Sequence, residues 1–167
     1  IDIEPLASTG EIQDCLALTS ALLHRQDDIA WLSVLRAPWC GLTLADIHTV
    51  YTNKEHSYFH TIEKLLQSSS VNHGCAQRLT HLYSAVSGAL HQWGRKPIAG
   101  LIEDCWHALN GPACLETTQA QQNCERYFQL LTKLENEHGN IDRERLQQAV
   151  ADLYSSASSA DARNHIM

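Results

Sequence analysis

The sequence has no uninterrupted apolar run of eighteen residues and no basic-then-apolar leader, so it predicts neither a membrane-spanning helix nor a secretory signal. It is also poor in positive charge, with 12 Lys and Arg against 19 Asp and Glu and a formal net charge of −7. That balance argues against a domain that coats nucleic acid, but it leaves room for a small local phosphate contact.

The signatures of several enzyme classes are missing as well. The chain contains no GxxxxGK[ST] phosphate loop, no GxSxG nucleophile turn and no HExxH zinc motif. We therefore assign no catalytic residue, no metal and no cofactor to the chain itself. Because it begins at Ile1 rather than at Met, we expect it to be a fragment of a longer protein.

The six cysteines do not form a CxxC pair. A domain of this size needs no disulfide staples, and free thiols are common in protein cores. The sequence therefore predicts reduced, mostly buried thiols in a cytoplasmic protein, at Cys15, Cys40, Cys75, Cys105, Cys114 and Cys124.

One pair of histidines has a spacing compatible with metal binding. His56 and His60 stand four residues apart, so they can share a helix face, with Glu55 and Glu63 nearby. A helical metal-dependent enzyme is one interpretation. We favour a solvated helix face, because a metal site needs further ligands. Zinc is no better supported at Cys105, His107, Cys114 and Cys124, whose spacing fits neither a finger nor a ribbon.

Paired acids could indicate acid–base catalysis, since they occur at Asp27–Asp28, Glu103–Asp104 and Glu135–Glu137. We interpret them as solvated surface, because a catalytic carboxylate normally lies in a pocket that shifts its pKa. The four tryptophans are predicted to anchor the core or loops rather than to stack on bases. Trp39 is the one for which both roles stay open.

The hydrophobic periodicity is helical almost throughout. It predicts an all-α fold, a single domain of about seven to eight helices joined by short loops. The domain is predicted to span residues 1–154, and residues 155–167 are predicted to form a mobile polar linker. The predicted helices cover residues 11–25, 55–67, 73–92, 98–109 and 117–137, and three further helices are predicted to follow Asp27, Thr43 and Asp142.

Residues typical of helix ends support these boundaries. Ser8 with Glu11 and Thr43 with Asp46 fit capping boxes. Asp27 and Asp142 can cap two further helices, with Ile29, Trp31, Leu32 and Leu35 on the apolar side of the first. The other signals are Pro38, Gly94, Pro97 and Gly139, together with the breaker Asn110–Gly111–Pro112.

Residues 11–50 carry a family resemblance. They read EIQDCLALTSALLHRQDDIAWLSVLRAPWCGLTLADIHTV. This string resembles a segment of UvrD-like superfamily 1 DNA helicases, closest to the branch of AddA and the exonuclease V beta chain RecB. There a helix like "v+DllalrrLl" precedes "D..a.lalLRsP..Gls..dL". The matching positions are Asp14, Leu16, Asp28, Leu35, Arg36, Pro38, Gly41, Leu42 and Asp46.

The last three residues, His165, Ile166 and Met167, resemble the start of the family string "vqvMTiHkaKGLEF", where the motor core resumes. The resemblance therefore implies the helical 2B subdomain, an insertion in the second motor domain, with residues 155–167 leading back to the motor. Residues 51–160 match no family pattern beyond helical periodicity.

The implied parent is an ATP-dependent DNA helicase of repair or recombination that uses ATP and Mg²⁺ and can carry an exonuclease domain. Its ATP-binding and nuclease residues would lie outside these 167 residues. The implied partners are the rest of the motor, duplex DNA and a nuclease or helicase partner subunit, with no membrane. The alternative from another class is a self-contained helical protein-interaction module with an acidic surface.

The resemblance also implies a DNA contact at the turn APWCG, where family members carry a Gly-Ile-Gly turn. A glycine lets the backbone approach a phosphate, and the following helix start offers free N–H groups. The implied contact residues are Arg36, Trp39, Gly41, Leu42 and Thr43. Thr43 stands where the second family glycine would be. The alternative is therefore a purely structural corner in which Gly41 adopts positive φ and Thr43 caps the helix.

Overall fold

The computed structural model describes the backbone of residues 9–165 and the side chains of residues 9–155. No β-strand forms within those residues, and the all-α prediction is confirmed. Eight α-helices follow one another: α1 (Gly10–Leu23), α2 (Asp28–Arg36), α3 (Leu44–Thr52), α4 (Tyr58–Ser68), α5 (His73–His91), α6 (Ile98–Ala108), α7 (Thr118–His138) and α8 (Arg143–His165). Two short 3₁₀ turns, Pro38–Cys40 and Pro112–Cys114, interrupt the loops.

Helix α1 is central to the packing, because it contacts α2, α6 and α7. Helix α5 lies between α4 and α6, α3 packs on α4, and α8 packs on α7. Their buried apolar side chains form one continuous core. None of the helices described is long and apolar enough to cross a membrane.

Local side chains fix most helix starts as the sequence predicted. The Asp27 carboxylate accepts a hydrogen bond from the Ala30 N–H, and Thr43 forms a full capping box with Asp46. Gly139 ends α7 in the left-handed region at φ 76°. The predicted box partner Ser8 lies outside the described residues, and the residue that precedes α1 is Thr9.

The last helix extends beyond the predicted domain limit. Residues 155–167 stay a predicted mobile polar linker, and within the described residues α8 continues to His165. No Gly or Pro occurs between residues 140 and 165, and Ala, Ser and Arg all tolerate a helix once it has started. Small polar composition is therefore not sufficient to end this helix.

The apolar side of α2 also differs from the prediction at one position. Ile29 was placed on the buried side, yet it is 80% exposed. The buried residues of α2 are Ala30, Trp31, Val34 and Leu35. Because successive helical residues are turned by about 100°, Ile29 points away from the face that packs on α1.

Candidate functional site

The predicted contact residues lie at the corner between α2 and α3. Helix α2 ends at Arg36, and Ala37 is extended with ψ 143°. Pro38 causes this break, because its ring excludes the preceding residue from the helical region. The chain then makes the 3₁₀ turn Pro38–Cys40 before α3 begins at Leu44.

Trp39 and Cys40 anchor this corner in the core. Both side chains are buried. The Cys40 thiol donates a hydrogen bond to the Val34 carbonyl at 2.9 Å, and burial raises the pKa of that thiol. These contacts explain why a tryptophan and a cysteine occur in so short a turn.

Gly41 combines an unusual backbone conformation with open surroundings. Its φ of 67° and ψ of 15° place it in the left-handed region, which glycine adopts without strain. A Cβ built at this position would meet no atom within 4 Å. Glycine is therefore required here for conformation rather than for space, and its exposed backbone is accessible to a ligand.

The N-terminus of α3 already holds a carboxylate. The Thr43 N–H donates to Asp46 Oδ2 at 3.0 Å, and the Asp46 N–H donates to Thr43 Oγ1 at 3.1 Å. The Arg78 guanidinium donates to both oxygens of Asp46, at 2.5 and 3.1 Å. Asp46 is 3% exposed, and Arg78 followed by the Thr43 N–H holds its pKa well below the usual range.

The structure brings together some of the predicted contact residues and separates others. Trp39 and Gly41 line a cavity of about 350 Å³ together with Arg78, His81 and Asn110. Leu42 packs partly against the core, and Thr43 serves the cap.

Arg36 lies apart from this cavity. It lines a different groove of about 460 Å³ with Asp14, Asp27 and Arg143. The basic residues beside Gly41 are instead Arg78 and His81 of α5. Sequence reasoning missed both, because no local signal places α5 next to the corner.

The paired histidines do not build a metal site with their neighbours. The His56 and His60 rings are 5.5 Å apart. Glu55 pairs with Lys64 at 2.6 Å, and Glu63 accepts a hydrogen bond from the Tyr83 hydroxyl at 3.0 Å. Throughout the described part of the chain, no group of three or more His, Cys, Asp or Glu side chains is arranged to hold a metal ion.

The cysteine prediction is confirmed for burial. Five thiols are buried and Cys114 is half-buried, and all six are free. The sulfur atoms of Cys15 and Cys124 are 4.0 Å apart, between α1 and α7.

Three of the paired acids have structural roles, which corrects their interpretation as solvated surface. The Glu135 carboxylate accepts hydrogen bonds from the backbone N–H groups of Ile98 and Ala99, at 2.8 and 2.9 Å, and so caps α6 from a different helix. Asp27 pairs with Arg143, and Asp28 pairs with Lys54. These contacts depend on tertiary packing, which the sequence pattern does not reveal.

The sequence was also compared with known proteins. No protein-family model matches the chain, and no curated protein matches it. By its fold, the chain is an all-α protein with eight described helices, and Gly41 lies in open surroundings at the corner between α2 and α3.

Proposed function

We propose that the chain is the non-catalytic helical subdomain of an ATP-dependent DNA helicase and exonuclease of the UvrD and RecB type. In this proposal it is a 2B-like insertion that orients the motor in cytoplasmic DNA repair or recombination. The parent would supply the ATP and Mg²⁺ site. The observation that carries the proposal is that residues of the family pattern build the corner between α2 and α3.

Each of these residues has a distinct part in that corner. Leu35 is buried in the core, and Pro38 opens the 3₁₀ turn. Gly41 supplies the left-handed residue, and Asp46 completes the capping box and binds Arg78. A pattern whose members build one local structure supports kinship better than scattered identities do, because the spacing then has a physical cause.

The arrangement of the first and last helices is compatible with an insertion. Asn123 of α7 donates a hydrogen bond to Glu11 of α1 at 3.0 Å. The Tyr154 hydroxyl of α8 donates to the Asn123 carbonyl at 2.5 Å. A domain inserted into another needs its entry and exit close together, and the shared contacts with Asn123 bring the start of α1 near Tyr154 of α8.

We further propose that the corner contacts a phosphate of duplex DNA. Gly41 offers an exposed backbone, and Arg78 and His81 lie in the adjoining cavity. The contact would be weak, because the net charge is −7 and Arg78 already pairs with Asp46. A salt slope on the order of one to three in log–log units is expected.

Fluorescence anisotropy on labelled duplex DNA at low salt tests this contact. Gly41→Asp and Gly41→Asn form a matched pair, because both residues tolerate the left-handed region and they differ mainly in charge. Gly41→Asp is expected to abolish binding, whereas Gly41→Asn is expected to retain most of it. Melting temperatures of both variants, followed by circular dichroism, separate a lost contact from a distorted turn.

A corner with only a structural role gives a different result. In that case the wild-type chain does not bind duplex DNA, or both variants bind it as well as the wild type does. Thr43→Ala adds an independent check. It removes a cap worth about 0.5–2 kcal/mol of stability, and under the proposal its affinity for DNA falls less than that of Gly41→Asp.

The second candidate function is a self-contained protein-interaction module, and one observation favours it. Leu44 and Tyr51 of α3 are 86% and 59% exposed, and their spacing of seven residues puts them on one helix face. Exchange of both for Ser discriminates the two functions. An interaction module would lose its partner, whereas the helicase subdomain would keep its phosphate contact at Gly41.

A further inference from the structure

Two adjoining cavities are lined by acidic and aromatic side chains. The larger cavity, of about 580 Å³, lies between α6 and α7. The smaller, of about 330 Å³, continues towards α1 and the Pro38 corner. Trp106 and Leu115 line both cavities. We call the combined depression the acidic groove.

Aromatic side chains form part of the walls of the acidic groove. Trp106 and Phe128 are each 5% exposed, and their ring centroids are 5.1 Å apart. Trp39 contributes to the wall of the smaller cavity. These rings are almost fully buried, so they offer an incoming apolar side chain a small surface beside the half-buried Pro112 and Leu115.

The charges lining the groove all have one sign at neutral pH. No Lys or Arg lines either cavity, and His107 is the single basic side chain there. The acidic side chains that line the cavities are Glu11, Asp14, Glu103, Glu116 and Glu125. None of these carboxylates takes part in an ion pair among the described residues.

Asp14 is the carboxylate of the groove whose ionisation is most clearly opposed by its surroundings among the described residues. Its partial burial, together with the nearby Glu11 carboxylate, raises its pKa to about 6. The described partner of Glu11 is a neutral amide, the Nδ2 group of Asn123 at 3.0 Å. A cation entering the groove would relieve this unfavourable arrangement.

We propose that the acidic groove binds a basic amphipathic segment of a partner protein. Arg or Lys side chains of the segment pair with Glu103 and Glu125 in the larger cavity and with Asp14 in the smaller one. An apolar side chain between them packs on Trp106 and Phe128. Charge complementarity selects this occupant over nucleic acid, because a phosphate backbone would meet carboxylates alone.

The inference does not depend on the helicase proposal. Its charged residues lie on α1, α6 and α7 and in the loop before α7, whereas the proposed phosphate contact is at Gly41, although Pro38, Trp39 and Cys114 line both the smaller cavity and the cavity beside Gly41. The two sites take ligands of opposite charge, so failure at one leaves the other intact.

A fluorescein-labelled peptide of about fourteen residues, with Leu and Arg at helical spacing, serves as the probe. The full 167-residue chain is titrated against it at about 50 mM salt, and anisotropy is followed. Saturable binding is expected, with a Kd on the order of 10–100 µM. Two matched peptides, one with Glu in place of Arg and one with Ser in place of Leu, are expected to bind at least about tenfold more weakly.

The double variant Glu103→Gln/Glu125→Gln locates the binding. It is expected to weaken binding of the basic peptide by about tenfold or more. The control Glu137→Gln/Glu144→Gln removes the same charge from side chains outside the groove, and it is expected to change the Kd less than about twofold. Melting curves show that both variants are folded.

Three results overturn the proposal. The first is that the Arg and Leu peptide fails to reach saturation. The second is equal weakening in the groove variant and the control, since binding then reflects the net charge alone. The third is that the Glu peptide binds as well as the Arg peptide does.

Discussion

At the scale of single residues, Gly111 shows how a packing requirement differs from a turn requirement. The sequence predicts that Asn110–Gly111–Pro112 interrupts a helix, and the interruption is present after α6. Gly111 itself has φ −51° and ψ −50°, which any residue adopts. The requirement is for space, because a Cβ at this position would lie 2.1 Å from Trp106 Nε1.

Gly111→Ala is therefore expected to lower the free energy of unfolding by about 1–3 kcal/mol, because the Trp106 ring must move within a packed core. Gly88 of α5 provides the matched control. It is exposed within a helix and a Cβ there meets nothing within 4 Å, so Gly88→Ala is expected to raise that free energy by about 0.5–1 kcal/mol. Urea unfolding followed by circular dichroism measures both. Equal shifts in the two variants would contradict the steric argument.

Asp14 carries a second prediction at this scale. Its pKa in the folded chain is about 6 against a reference of 3.8. Between these two values the folded state holds a proton that the unfolded chain has lost, so this group makes folding less favourable as the pH rises. In Asp14→Asn the decline of the unfolding free energy from about pH 4 to pH 6 should be smaller than in the wild type.

Urea titrations at a series of pH values check this. The control is Asp104→Asn, since Asp104 is exposed at the surface. If the wild type and Asp14→Asn have the same pH profile over that window, the Asp14 carboxylate is not perturbed in the way described.

At the scale of helices, the N-terminus of α3 shows what a sequence pattern predicts and what it misses. Thr43 followed by Asp46 predicts the capping box, and the reciprocal hydrogen bonds confirm it. The same pattern does not reveal that Arg78, more than thirty residues later, binds the Asp46 carboxylate. Helix limits follow local rules, whereas the contacts of α3 with α5 depend on how the whole chain packs.

Replacement of Asp46 by Asn tests this double role. It removes the charge that accepts from Arg78 and from the Thr43 N–H, and about 2 kcal/mol of stability should be lost after allowance for the partial exposure of Arg78. Because the pKa of Asp46 is lowered in the folded state, its contribution is present above its reference value of 3.8 and is lost as the pH falls below that value. The acid-induced loss of stability should therefore be weaker in Asp46→Asn.

Thr43→Ala is the matched comparison, because it removes the other half of the box and leaves the Arg78 pair in place. It is expected to cost about 0.5–2 kcal/mol and to keep the acid dependence of the wild type. Thermal unfolding between about pH 2 and pH 5 distinguishes the two variants. If both variants lost stability equally in acid, the contribution of Asp46 to stability would not depend on its charge.

At the scale of the whole molecule, the fold class and most helix limits could be predicted, because periodicity and caps act locally. Three features could not be predicted. They are the exposure of Ile29, the continuation of α8 to His165 and the cap that Glu135 provides to α6. The exposure of Ile29 and the cap on α6 depend on which neighbour a helix meets. The same holds for the candidate sites. The sequence indicated the Gly41 corner, but Arg78, His81 and the acidic groove emerge only from the packing of distant helices.

The proposal that this chain lies inside a helicase motor is tested by the coding sequence of its native polypeptide. Messenger RNA sequenced through both flanks of the codons for residues 1–167 gives the answer. The helicase proposal predicts a phosphate-loop motif GxxxxGK[ST] upstream of residue 1. It also predicts that the reading frame continues from residues 165–167 into a motor string like "THKAKGLEF". A stop codon directly after Met167, or flanks without these motifs, would contradict it.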